Sequence, residues 1–249
     1  MIKDISIGRF YYVESIIHKL DPRIKIFSVF VYICMIFAFE SKIGLGISAI
    51  ALAGVIKLSN VPFKYIIKGI KPMGFVLLFS MVIKGISDMQ VMSALLMGAK
   101  IILLVSGASM LTYTTLPNSL TDGFECILKP LKIFKVPVAD VAMMMSIALR
   151  FIPIMVDEAN KIIDAQKARG ADFENGNLIK RVSKMMPLLV PLFVSAYNRA
   201  NELAMAMDSR CYEGGAGRSK MKPLKFAKRD YVAVFLIMIY IGARIYFGR

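Results

Sequence analysis

Cysteine and histidine are both scarce in this sequence. Its 249 residues include three cysteines, Cys34, Cys126 and Cys211, and a single histidine, His18. The cysteines form no C-x-x-C pair and lack the spacing of a zinc site, so neither a disulfide framework nor a structural metal is indicated. A lone histidine is more often a polar contact than a ligand. We therefore expect no metal centre and no bound cofactor.

Recognisable catalytic motifs are also missing. There is no Walker A phosphate loop, no nucleophile elbow and no H-E-x-x-H zinc motif. The carboxylates of residues 140–213 are interspersed with lysine and arginine, which is typical of solvated or paired helix faces. These absences argue against a membrane-embedded enzyme. A self-sufficient secondary transporter or channel stays open as the alternative, with Lys100 as a poor lone candidate for an ionisable site at membrane depth.

Apolar residues, in contrast, are abundant. They make up 57% of the chain, and the mean hydropathy is +0.62, well above the usual level of a soluble domain. The sequence therefore predicts an integral membrane protein. Its net charge of +15, from 32 basic and 17 acidic residues, is explained by the positive-inside rule and by anionic lipid headgroups. We expect no nucleic acid partner, because no basic and aromatic motif for one is present.

Hydrophobic runs predict an all-α, polytopic fold with about five transmembrane helices. The runs are residues 24–39, 43–58, 73–86, 91–113 and 231–247. Asp21 and Pro22 indicate a helix start before the first run, with Asp21 as N-cap and Pro22 at the first helical position. Residues 59–72 form a basic loop without an acidic residue, which the positive-inside rule assigns to the cytoplasm. The N-terminus is then cytoplasmic as well.

Two further apolar stretches are predicted to lie at the membrane interface instead of crossing it. In residues 136–156, Asp140 and Arg150 are costly inside a membrane, and Pro153 should interrupt a span. Residues 185–197 contain two prolines and are too short to span. The chain thus divides into a cytoplasmic N-terminal segment (1–23), a region of four spans (24–115), a platform of cytoplasmic or interfacial helices (116–229) and a final span (230–249).

One long amphipathic helix is predicted to end at Gly170. Apolar residues recur at steps of three and four from Val141 to Ile162, and the charged residues lie off this stripe. Gly170 is a usual residue just past a helix end. The preceding Lys167 and Arg169 suit the negative end of the helix dipole.

The end of this helix recurs 41 residues later. Segments 159–170 and 200–211 align without a gap, with Ala, Asn, Ala and Arg identical at four positions. Both helices therefore end in an arginine, Arg169 in the first and Arg210 in the second. Two interpretations are open. Each arginine is either a solvated charge at a helix end, or a planar fork of five donors that enters a site lined by carboxylates or carbonyls on a partner protein.

Three motifs together resemble a known family. The segment 20–23, Leu-Asp-Pro-Arg, resembles its N-terminal signature. The central signature is matched by Ala-Leu-Arg-Phe-Ile-Pro at 148–153, by Glu158 and by Ala-Gln-Lys-Ala-Arg-Gly at 165–170. The segment 206–212 resembles the second arginine motif, with Ser-Arg-Cys in place of the commoner Ala-Arg-Gly. The family is the transmembrane T component of energy-coupling factor (ECF) transporters, a class of ABC importers for vitamins and metal ions.

The resemblance implies a mechanism and a set of partners. Two coupling helices dock by their tips on two ABC ATPase subunits, and the movement passes to a membrane S component that binds the substrate. ATP is hydrolysed by the partners, so the chain itself is not an enzyme. The implied tip residues are Ala168, Arg169, Gly170, Ser209, Arg210 and Cys211, and the implied supporting residues are Arg150, Pro153, Glu158 and Gln166. The implied location is the plasma membrane of a prokaryote, as a multi-pass protein in the lipid bilayer.

Overall fold

The computed structural model describes residues 10–39, 41–88, 91–135, 137–171, 178–214, 224 and 226–248. The helices of this part are α1 (Pro22–Ala38), α2 (Lys42–Ser59), α3 (Phe63–Ile70), α4 (Gly74–Asp88), α5 (Val91–Thr114), α6 (Pro117–Leu128), α7 (Val138–Ala168), α8 (Leu178–Asp208) and α9 (Lys228–Gly248). These residues form two compact units. We call residues 10–127 with 224–248 the bundle unit, and residues 128–214 the α7–α8 unit.

Five helical stretches in the described part of the chain are long and apolar enough to cross a membrane. They are α2, the stretch Phe63–Ile86 that runs from α3 into α4, α5, α7 and α9. The prediction of an all-α protein with about five spans is therefore confirmed. The set of candidate spans differs from the predicted set in two places. Helix α1 has 17 residues and is not among the five, whereas α7 is among them because its 31 residues form one continuous helix.

Two stretches that were predicted as a loop or as an interrupted span are helical. The basic residues 59–72, predicted as a loop, contain α3, whose Ile66 is buried against α5. Pro153 is predicted to interrupt a membrane span, yet α7 runs through it without a break, and α8 runs through Pro187 and Pro191. A proline removes one N–H donor, but the turns on both sides keep theirs, so a long helix can continue across the site.

The starts of α1 and α9 meet at one end of the bundle unit. The Asp21 carboxylate caps α1 by accepting a hydrogen bond from the Arg23 amide at 2.9 Å, and Pro22 follows in the first turn, as predicted. Asp230, in the first turn of α9, is buried and accepts from the amides of Asp21 at 2.9 Å and Ala227 at 2.7 Å. The Asp-Pro pair therefore starts one helix and fastens it to another.

The C-terminal end of α5 lies at this same end of the bundle unit. The buried Lys25 donates from Nζ to the carbonyls of Thr114 at 2.9 Å and His18 at 3.1 Å, so it satisfies a terminal carbonyl of α5. His18 is a polar contact, as predicted. Its Nε2 lies 3.0 Å from the Tyr11 carbonyl oxygen, and its Nδ1 lies 2.7 Å from Ser15 Oγ. Burial, followed by the charge of Lys25, lowers the pKa of His18.

Arg244 of α9 occupies the opposite end of the bundle unit and is fully buried. Its Nη2 donates to the carbonyls of Met35 and Phe39, at the end of α1, where carbonyls lack partners within the helix. Its guanidinium carbon lies 5.8 Å from the centroid of the Phe39 ring. Gly44, in the first turn of α2, leaves the necessary space, since a Cβ there would overlap Arg244 Nη1. Arg244 thus joins α1, α2 and α9.

The buried core of the bundle unit lies where α2, α3 and α5 meet. Its members are Leu52, Ile56, Val61, Ile66, Met110 and Tyr113. Lys100 lies nearer the start of α5 and is directed toward α1, where its Nζ lies 5.5 Å from the centroid of the Phe37 ring. This cation–π contact gives the lysine a favourable neighbour among apolar helices.

Candidate functional site

Helix α7 has a covered face and a charged, exposed face. In its second half, Met155, Ile162 and Gln166 are half-buried at helical spacing, and α8 packs against α7. Asp157, Lys161, Asp164 and Lys167 are all exposed. The predicted amphipathic pattern is therefore confirmed for this half of the helix.

The end of α7 is closed by a Schellman motif. Arg169 is the C-cap residue, and Gly170 follows with a φ of +83°, in the left-handed region that glycine adopts without steric cost. The Gly170 amide donates to the Lys167 carbonyl at 2.9 Å, and the Ala171 amide donates to the Gln166 carbonyl at 3.0 Å. These two bonds satisfy terminal carbonyls of the helix and leave the Arg169 side chain exposed at its last turn.

Helix α8 ends in the same way. Arg210 precedes Cys211, whose φ is 55°. The Cys211 amide donates to the Asp208 carbonyl at 2.9 Å, and the Tyr212 amide donates to the Met207 carbonyl at 3.1 Å. Donors and acceptors hold the same positions as at the end of α7, shifted by 41 residues. The repeat seen in the sequence is therefore also a repeat of backbone geometry.

An ion pair joins α7 to α8. Glu158 Oε2 lies 3.8 Å from Arg199 Nη2. The two residues hold equivalent positions in the repeat, because each comes 11 residues before the terminal arginine of its own helix. At a rise of 1.5 Å per residue, each tip lies about 16 Å along its helix from this contact. The two helices therefore meet at equivalent positions, and each continues for the same length from this contact to its terminal arginine.

The predicted tip residues are all exposed. They are Ala168, Arg169 and Gly170 at the end of α7, and Ser209, Arg210 and Cys211 at the end of α8. Neither arginine side chain forms a hydrogen bond or an ion pair with another described residue. Each guanidinium therefore keeps its five donors for a partner or for water.

The predicted supporting residues lie in three different settings. Glu158 joins α7 to α8, and Gln166 is half-buried and supplies a carbonyl to the cap of α7. Arg150 and Pro153 are exposed on α7, roughly 24 to 28 Å along the helix from Arg169. The structure does not bring Arg150 or Pro153 to either tip.

Arg199 is a further site residue, outside the set predicted from the sequence. Its Nε is buried and has no hydrogen-bond partner among the described residues, while its Nη2 pairs with Glu158. Extending the alignment of the repeat by one position places Arg199 opposite Glu158, so the sequence does show that the two positions are equivalent. A repeat shows which positions are equivalent, but it does not show that equivalent positions touch.

Exposed methionines lie on both helices of the α7–α8 unit. They are Met144 and Met145 on α7, and Met185, Met186 and Met205 on α8. Methionine is unbranched and flexible, so its side chain adapts to partners of different shape. The described part of the unit thus presents an apolar surface that its own helices leave uncovered.

Comparison with known proteins agrees with the helical membrane architecture. The chain matches the family CbiQ, described as cobalt transport protein, over residues 13–223. It is 43% identical to the energy-coupling factor transporter transmembrane protein EcfT of Ruminiclostridium cellulolyticum, with 96% of each chain covered. It is also 43% identical to the EcfT of Clostridium kluyveri and 37% identical to that of Bacillus subtilis, with 100% of each chain covered in both cases.

These findings place the chain first in a class and then in a family. An all-helical fold with five candidate spans, together with these relatives, defines a multi-pass membrane protein of a bacterial transporter. The chain belongs to the CbiQ family, as a transmembrane T component of energy-coupling factor transporters. It is not itself the ATPase. The family inferred from its motifs is therefore confirmed.

Proposed function

We propose that the α7–α8 unit couples two ABC ATPase subunits to transport, with Arg169 and Arg210 as the docking residues. Each tip, residues 168–170 or 209–211, enters a site on one ATPase subunit. Movement of these subunits during ATP binding and hydrolysis then passes through α7 and α8 to a membrane S component that binds the substrate. The observation that carries this proposal is the duplicated helix cap, in which each exposed arginine holds the same backbone position.

A guanidinium is well suited to this docking. Its planar fork donates two parallel hydrogen bonds to a carboxylate or to carbonyl groups, which fixes orientation as well as position. Arg169 and Arg210 have no acceptor within the described residues, so docking breaks no bond inside this part of the chain. Two tips of the same geometry fit two ATPase subunits that offer equivalent sites.

The contact between Glu158 and Arg199 supports transmission of movement from one helix to the other. Because this ion pair lies about 16 Å from both tips, a displacement of either tip acts on it over the same length of helix. The exposed methionines of α7 and α8 offer an adaptable surface to the S component. Choice of cargo belongs to that S component, and the resemblance to the family implies vitamins or metal ions.

Charge supports an orientation with the N-terminus in the cytoplasm. Exposed basic residues gather at the end of the bundle unit where α1 and α9 begin, and they include Lys19, Lys57, Lys64 and Arg229. Under the positive-inside rule, this end faces the cytoplasm. The protein then lies in the plasma membrane with residues 1–23 in the cytoplasm.

Packing supports α1 as a span and α7 as part of the cytoplasmic platform. Helix α1 packs against α2, α5 and α9 in the bundle unit, whereas α7 packs against α8. Helix α7 also carries Asp140 and Arg150, which are costly inside a bilayer. We therefore place spans in residues 24–115 and 230–249, and the coupling helices in residues 116–229 at the cytoplasmic face.

Charge reversal at each tip tests the coupling proposal. Arg169→Glu should lose the docking contact, which costs about 2–5 kcal/mol when a buried charge pair loses one partner, and uptake should fall severely. Arg169→Lys should be intermediate, because the charge remains but the fork is lost. Arg210→Glu should act likewise. The measurements are capture of the ATPase subunits and substrate uptake by vesicles that contain the whole transporter.

Lys167→Glu is the matched control for Arg169→Glu. Lys167 is exposed on the same last turn of α7 and undergoes the same change in charge. The control should retain docking and uptake close to wild type. If both glutamate variants at the tips also retain them, the arginines are ordinary solvated charges and the coupling role is wrong.

A further inference from the structure

A basic pocket lies at the end of the bundle unit where α2 ends and α9 begins. It has a volume of about 550 Å³ and is lined by the segment before α1, the end of α2 and the first turn of α9. Three cationic side chains line it, Lys19, Lys57 and Arg229, against one carboxylate, Glu14. We propose that this pocket binds the phosphate headgroup of an anionic phospholipid.

Two of the three cations are not neutralised by any residue in the described part of the protein. Lys57 and Arg229 form no ion pair with any other described residue. The neighbouring carboxylate of Asp230 is buried, and its oxygens accept hydrogen bonds from the backbone amides of Asp21 and Ala227. Asp230 is therefore turned inward, and the pocket retains its positive field.

The third cation pairs, among the described residues, with one exposed partner. Lys19 Nζ lies 2.8 Å from Glu14 Oε2, and both side chains are more than half exposed. An exposed pair of this kind contributes little free energy. Lys19 can therefore exchange Glu14 for a phosphate oxygen at low cost, which adds a third cation to the site.

The surroundings of the pocket favour a lipid over a soluble phosphate compound. Ile16 and Leu58 line it with 57% and 52% of their surfaces exposed. Helices α2 and α9 pack against each other, and Val55, Val232 and Phe235 extend the exposed apolar surface along them. An acyl chain can lie on this surface while its headgroup meets the cations. Basic pockets between membrane helices commonly bind anionic headgroups in this way.

The site would link three segments that hydrogen bonds already bring together. The headgroup would contact the N-terminal segment through Lys19, α2 through Lys57 and α9 through Arg229. It would thereby reinforce the junction that Asp21 and Asp230 form at the membrane surface. Lipid binding by the bundle unit would not depend on the coupling role of α7 and α8.

Lipid binding by the purified full chain tests the proposal. Native mass spectrometry in a neutral detergent would compare phosphatidylglycerol with phosphatidylcholine, first for wild type and then for the double variant Lys57→Gln, Arg229→Gln. The wild type should prefer the anionic lipid, and the double variant should lose on the order of tenfold in that preference, because two surface cations are removed. Glycerophosphoglycerol, the same headgroup without acyl chains, should not displace the lipid at equal concentration.

The matched control is the double variant Lys42→Gln, Lys228→Gln. It removes the same amount of positive charge, from the first turns of α2 and α9, and neither residue lines the pocket. This control should keep the wild-type preference. A pocket variant that also keeps it overturns the proposal, and so does equal loss in the control. Displacement by glycerophosphoglycerol would show a site for soluble phosphates instead. If the double variant does not fold, Lys57→Gln alone, at an exposed position, decides between the same outcomes.

Discussion

Glu158 of α7 and Arg199 of α8 face each other at 3.8 Å although they occupy the same position in the two copies of a repeat. Equivalent residues meet when two similar helices cross at matched points. Identical charges at such a point would repel each other, whereas a glutamate and an arginine attract. One difference between the two copies therefore turns a symmetrical crossing into a favourable contact.

Exchange of these two charges tests the crossing. Glu158→Arg should place two cations at the contact and weaken it by roughly 1 kcal/mol, because the pair is partly exposed. Arg199→Glu should do the same with two carboxylates. The double variant Glu158→Arg, Arg199→Glu should restore both thermal stability and ATPase-coupled uptake toward wild type. Asp157→Arg, at an exposed neighbouring position, is the control. If the double variant is no more stable and no more active in uptake than either single variant, Glu158 and Arg199 do not form the proposed contact.

The two helix caps predict opposite effects of exchanging their residues. Cys211 has a φ of 55°, which costs a residue with a Cβ about 1 kcal/mol relative to glycine. Cys211→Gly should therefore raise the unfolding temperature. Gly170→Cys should lower it by strain alone, since a Cβ at Gly170 meets nothing within 4 Å. Thermal unfolding of the purified chain measures both changes. Equal or reversed shifts would show that the caps are not equivalent.

The space beside Arg244 should tolerate no added methyl group. Gly44→Ala would push its Cβ into Arg244 Nη1 and displace a buried guanidinium from the carbonyls of α1, at a cost of about 1–3 kcal/mol. Gly46→Ala is the matched control on the same helix, because a Cβ there meets nothing within 4 Å. Thermal unfolding in detergent should separate the two variants. Similar unfolding temperatures for both would contradict the assigned role of Arg244.

Accessibility to an impermeant thiol reagent tests the orientation. In a chain whose native cysteines, Cys34, Cys126 and Cys211, are replaced by serine, Lys42→Cys should be labelled on intact cells. Lys64→Cys should be labelled only after the membrane is opened. Both positions are exposed, and they lie at opposite ends of the bundle unit. The reverse pattern of labelling would place the N-terminus outside.

Features that depend on nearby residues could be predicted from the sequence. The apolar runs predict helices because a backbone inside a membrane must satisfy its hydrogen bonds within one segment. Asp21 and Pro22 predict the start of α1, and Gly170 predicts the end of α7, because helix caps are closed by hydrogen bonds between residues at most a few positions apart. The equivalence of Arg169 and Arg210 was also present in the sequence as a repeat.

Only the tertiary structure decided which helices meet and through which side chains. Asp230 reaches the amide of Asp21, which lies 209 residues away in the chain, and Arg244 reaches carbonyls of α1 at a similar separation. The contact between Glu158 and Arg199 likewise depends on where two helices cross. Spacing along a chain defines the faces of a helix, but it does not define the neighbour that covers each face. That choice depends on packing and on the burial of charge across the whole assembly of helices.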